Sequence, residues 1–89
     1  MGNTSVWLSK DAAGIFPFDG YRLAQKSHED ALFRAMNNLK PGEILRLFVG
    51  KNPLEVIRKL AMEFGAKFVF EYLSNRDGLV IIDFKRVGL

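Results

Sequence analysis

The sequence predicts an α+β fold, a two-layer α/β sandwich in the order β-α-β-α-β-β, with a four-stranded mixed sheet and two helices on one face. Three observations carry this. Two segments repeat apolar residues at three- and four-residue spacing, which places them on one side of a helix. Other segments are short apolar or alternating runs of strand length. The run Ser74-Asn75-Arg76-Asp77-Gly78 between the last two such segments is a hairpin signal, with Asp77-Gly78 supplying residues that tolerate positive φ.

Each element follows from its residues. The region 1–13 is expected to be a flexible or strand-forming N-terminal arm, in which Val6-Trp7-Leu8 packs its indole on the body. Gly14-Ile15-Phe16-Pro17-Phe18-Asp19 is the preferred first strand, and Pro17 points to an edge position because proline cannot donate a ladder hydrogen bond. Ser27 is expected to cap the first helix, with Glu29 and Asp30 complementing the positive end of the helix dipole. Ala31, Leu32, Ala35, Met36 and Leu39 form its apolar face, Phe33 falls at the edge of the polar side, and Pro41-Gly42 stops it. Residues 44–49 form a central strand, apolar apart from Arg46. Asn52-Pro53 caps the second helix with proline at its first position, and Ile57, Leu60, Ala61 and Phe64 are expected to face inward. Residues 67–73 and 79–87 are the last two strands, antiparallel to each other.

Composition sets the class. The 89 residues, 48% of them hydrophobic, suffice for one domain with one core, and no apolar stretch reaches the length of a membrane span. A domain this small buries only about 60% of the surface its unfolded chain exposes, so every element is needed in the core. Cysteine is absent, which excludes disulfides, thiolate metal sites and thiol catalysis on this chain. A signal-peptide pattern is not seen at the N-terminus, and the cytoplasm is the expected compartment.

The turn Leu39-Lys40-Pro41-Gly42-Glu43, the following apolar strand, the helix opening at Asn52-Pro53 and the final strand pair resemble the TusA-like (SirA-like) sulfur-carrier superfamily. The resemblance covers about residues 15 to 87 and implies a persulfide-bearing Cys-Pro-x-Pro motif at the start of the first helix, sixteen residues before Pro41. That position holds Gln25, and the tetrapeptide is Gln25-Lys26-Ser27-His28, so none of the signature residues is present. Upstream, Phe18-Asp19-Gly20 matches the apolar residue and aspartate that close the family's first strand. The chain is more similar to a cysteine-free, uncharacterised branch, sometimes fused to hemerythrin-like modules. That branch has a histidine at the start of the first helix, matched by His28, and a Leu-x-Pro-Gly-Glu turn; Phe70-Glu71-Tyr72-Leu73 also matches.

Several functions then compete. The leading expectation is a binding or adaptor domain, not an enzyme, acting on an unknown protein partner or on a second copy of itself through Phe33, Trp7 and the sheet face that two helices leave uncovered. The alternative is RNA binding by Lys51, Arg58, Lys59, Lys67, Lys85 and Arg86, which needs a stacking platform on that sheet face and gains if Tyr72 or Phe84 is exposed there. The net charge of +3, with both signs interspersed, does not favour nucleic acid. Third is a small anion held by free amides around Ser27 to Asp30, flanked by Arg22 and Lys26; the candidate ligand- or partner-binding residues are thus Gln25, Lys26, Ser27, His28 and Phe33. His28 is the only histidine, so a transition-metal site lacks further ligands, and its plainer role is a half-buried packing residue beside Leu32. Neither a catalytic group nor a cofactor is indicated, and Asp83 is expected opposite Lys67 or Tyr72.

Overall fold

The computed structural model describes residues 12–88, so the Val6-Trp7-Leu8 arm lies outside the described residues. Its elements are β1 (Gly14–Asp19), α1 (Lys26–Asn37), β2 (Glu43–Val49), α2 (Leu54–Phe64), a 3-10 turn (Gly65–Lys67), β3 (Phe68–Arg76) and β4 (Leu79–Arg86). The four strands form one sheet in the order β1-β2-β4-β3, with β1 parallel to β2 and β4 antiparallel to both its neighbours. The sheet is therefore mixed, as the element order requires. Pro17 lies in an edge strand, where its missing amide proton leaves no gap in the ladder.

Both helices cover the same face. Leu32 and Met36 from α1 and Val56, Leu60 and Phe64 from α2 share one core with Leu45, Leu47 and Val49 of β2 and Val80, Ile82 and Phe84 of β4. These strand residues alternate, as one face of a pleated sheet must. The opposite face carries Ile44, Arg46 and Phe48 from β2 opposite Lys85, Asp83 and Ile81 from β4, and neither helix packs on it.

Several boundaries differ from the sequence expectation. Helix α1 begins at Lys26 with Gln25 at the cap and no side-chain cap, so Ser27 lies inside the first turn. The Gln25 carbonyl accepts from the amides of His28 and Glu29, which does the work assigned to a serine hydroxyl. Pro53 is itself the cap, one residue ahead of helix α2. The buried row of α2 is Val56-Leu60-Phe64, so Ile57 is only partly buried and Ala61 is exposed. Strand β3 extends to Arg76 and closes through Asp77-Gly78, with Gly78 at φ 86°. A bulge at Leu73 separates the Tyr72–Ile82 and Ser74–Ile81 pairs, and this irregularity together with a polar strand end made 74–78 resemble a loop. Lys67 belongs to the 3-10 turn rather than to the strand.

The Leu39-Lys40-Pro41-Gly42-Glu43 turn is a hydrogen-bonded joint. The Glu43 carboxylate accepts from the Lys40 amide at 2.8 Å, and Gly42 adopts φ 89°, which a side chain would resist. Gly42 then donates to the Arg86 carbonyl and accepts from the Ala13 amide, linking β4 and the start of β1 to the same turn.

Arg46 and Asp83 account for the charged interruption in the central strands. They are cross-strand neighbours, and the guanidinium donates to both carboxylate oxygens at 2.8 and 2.9 Å. Asp83 is thus opposite Arg46 and Glu71, not Lys67 or Tyr72 as expected, because the β3 register places Tyr72 against Ile82. Asp83 is fully buried and the Arg46 side chain is 28% exposed. The hydrogen bonds to Asp83 raise the Arg46 guanidinium above its usual value; burial opposes this, and the Asp83 charge adds to it. A cation whose folded-state value is raised gives stability that is complete below its ordinary value and is lost only as pH rises through the raised one. Arg46 therefore keeps its charge through neutral and mildly alkaline pH.

At the carboxyl end of the parallel strands, Gly20 donates to the Phe48 carbonyl at 2.7 Å. Tyr21 spans this end: its amide donates to Asp19 Oδ1, its hydroxyl to the Gly78 carbonyl, and its ring lies against Gly50. A Cβ on Gly20 would come within 2.7 Å of Leu47 Cδ1 and Val49 Cγ1, both in the core.

Two stability outcomes follow. Gly20→Ala should cost about 1–3 kcal/mol by overpacking, read as a lower urea midpoint with unchanged slope. Arg46→Met should cost about 3 kcal/mol by leaving the Asp83 carboxylate buried without its partner, and Arg46→Met with Asp83→Leu should recover most of that loss.

Candidate functional site

Chain direction determines how the helices lie. Each of α1 and α2 returns the chain from the end of one strand to the start of another strand that runs the same way, so the two helices are parallel to each other. Two contacts set their relative height. Lys59 Nζ donates to the Glu29 carboxylate at 3.0 Å, and the rings of Phe33 and Phe64 are 6.1 Å apart between centroids. Residue 29 is therefore level with 59, and residue 33 with 64.

Between them runs an open groove of about 700 Å³. Lys26, Glu29, Asp30, Phe33 and Arg34 line it from α1, and Lys59, Met62 and Glu63 from α2. Two ion pairs lie in it: Lys26 with Asp30 along α1, at 3.1 Å, and Lys59 with Glu29 across the groove. Arg34 and Glu63 have no ion-pair partner among the described residues. Glu29 and Asp30 thus point to different partners, consistent with their separate directions on the helix.

The apolar part of the groove is formed by Phe33 and Met62, and Phe33 lies at the edge of the polar side as expected. Phe33 is half-buried and packs on the core and on Phe64, whose ring meets Phe68 edge-on at 5.2 Å. Met62 is the apolar side chain that stands out, 82% exposed. It is not among the residues expected to bind, although it sits seven residues after Glu55, four after Arg58 and three after Lys59, the polar row of α2. A methionine at an outward-facing helical position was the available signal.

Of the expected ligand residues, the groove joins Lys26 and Phe33, and it adds Lys59 from the basic set. Gln25 and Ser27 are exposed and His28 is half-buried; none of the three lines it. Since the amides of His28 and Glu29 already donate to Gln25, that helix start keeps few free donors for an anion.

The basic residues are spread over the molecule. Lys51 follows the end of β2, Arg58 and Lys59 lie on α2, and Lys67, Lys85 and Arg86 lie where β3 begins and β4 ends. Arg86 packs over the Phe68 ring at 5.6 Å and donates to the Leu39 carbonyl. Tyr72 and Phe84 face the helices, where Phe84 is buried and the Tyr72 hydroxyl bonds Asn52. Neither lies on the helix-free face. Among the described residues, no group of three or more histidine or acidic side chains is placed to hold a metal ion.

A family model described as an uncharacterized conserved protein, DUF2249, matches residues 18–86, from Phe18 in β1 to the last residue of β4. The chain belongs to DUF2249. The matched span includes both helices, the Leu39-Lys40-Pro41-Gly42-Glu43 joint and the whole groove, so these are parts of the family's domain. No curated protein matches the chain, and no solved structure does.

Burial predicts which groove residues are structural. Lys59→Ala should cost less than about 1 kcal/mol, since Lys59 is more than half exposed and solvent screens its pair with Glu29. Phe64→Ala removes the buried ring beneath the groove and should cost about 3–5 kcal/mol. Urea denaturation of the two variants checks the order.

Proposed function

We propose that this DUF2249 domain is a TusA-like binding or adaptor module that lacks the sulfur-carrier cysteine and acts through protein–protein contacts made by the interhelical groove. The observation that carries this is Met62, 82% exposed on the wall of an open groove beside Phe33. Water pays no cost at a charged helix surface, but a methionine held out among charges gains by being covered, and its flexible thioether adapts to varied surfaces. The charged groups around it form a polar rim around a small apolar centre, the arrangement found at transient interfaces. The chain has no cysteine, so it cannot carry a persulfide on its own side chains.

A photoreactive benzoylphenylalanine placed at position 62 tests the reading. Irradiated in cells, it should give a discrete cross-linked adduct, while the same group at position 77 in the β3–β4 turn should not. Equal behaviour at the two positions would count against the groove.

A further inference from the structure

We infer that the groove takes the same groove of a second copy of this chain, forming a symmetric dimer; this rests on the reading of the groove as a protein-binding surface. Helix direction and charge carry the inference together. An isologous contact between two flat faces has its two-fold axis in the plane of contact. If that axis runs along the groove, α1 of one copy lies over α2 of the other, and each residue keeps its height along the axis.

Because α1 and α2 are parallel and their heights are known, the facing pairs follow. Glu29 is level with Lys59 and Phe33 with Phe64. The axis then places Phe33 of one copy near the second copy's Met62, Arg34 near its Glu63, and Glu29 near its Lys59. An exposed methionine meets an accessible ring, which is a favourable sulfur–aromatic contact. The two groove charges without an ion-pair partner among the described residues, Arg34 and Glu63, are opposite in sign and lie within about two residues, roughly 3 Å, of the same height on different helices. Antiparallel helices would have placed them at opposite ends. The eight groove residues carry three positive and three negative side chains, so two copies meet without net repulsion.

The dimer is weak. Helices of 12 and 11 residues are about 17 Å long and pack about 10 Å apart. They offer roughly 350 Å² per copy, under half of the ~800 Å² in a standard interface. An interface of that size belongs with weak, transient contacts, so association is expected only at high concentration.

Sedimentation equilibrium of the full chain, from about 20 μM to about 1 mM at low salt, provides the test. The weight-average mass should rise from 10.1 kDa toward twice that value. Arg34→Glu alone and Glu63→Arg alone should each weaken association about tenfold, and the double variant should return to within about threefold of the parent. Met62→Glu should also weaken it, and circular dichroism should show all four variants folded, since these side chains are exposed. A parent that stays monomeric at about 1 mM, or a double variant with no recovery, overturns the dimer. If position 62 cross-links to a different protein while the chain remains monomeric, the dimer falls and the binding reading stands. With neither adduct nor dimer, both fall.

Discussion

Two short helices must cover one face of a four-stranded sheet, and the order of the strands dictates how they do so. Parallel β1 and β2 force the first connection across the sheet, and the insertion of β4 between β2 and β3 forces the second to cross in the same sense. The helices consequently run side by side in one direction. Their core rows, Leu32-Met36 and Val56-Leu60-Phe64, then mesh with the alternating residues of β2 and β4. The groove between them is the outer consequence of that packing; of the rings Phe33, Phe64 and Phe68, which meet in series, Phe33 lines it and Phe64 lies buried behind.

Charge is distributed with equal economy in the two layers. On the helix-free side a bidentate pair, Arg46 with Asp83, sits in the middle of apolar strands and fixes the β2–β4 register by a requirement that a one-residue slip would violate. Next to it Glu71 has one buried carboxylate oxygen without a donor. On the helical side the ion pairs are exposed, contribute little to stability and leave two charges open to outside contacts. Buried charge specifies the fold here, while surface charge is available for recognition.

Much of this architecture was legible in the residues. Periodicity located both helices, Pro17 marked an edge strand, and Asp77-Gly78 marked the hairpin, because each depends on local geometry that a short stretch of chain contains. What escaped was decided by distant partners. Arg46 looked like an exception until Asp83, far along the chain, was seen beside it. The bulge at Leu73 hid the true length of β3, because a register shift breaks the alternation on which strand recognition rests. The candidate site was less legible than the fold. Lys26, Phe33 and Lys59 do converge, but Met62 was passed over, and no periodicity states which helix faces are neighbours across a groove.

The joint at residues 39–43 bears on how the sheet comes together in time. Strands β3 and β4 need only a two-residue turn to meet, whereas β1 can pair with β2 only after the whole of α1 has been traversed. Gly42 reaches both the last residue of β4 and the residue before β1 through its own amide and carbonyl. Closing that single turn therefore brings β1 and β4, the two neighbours of β2, into register with each other. Amide exchange would report this as slow hydrogens at Ala13 and Gly42, next to an edge strand that otherwise opens easily.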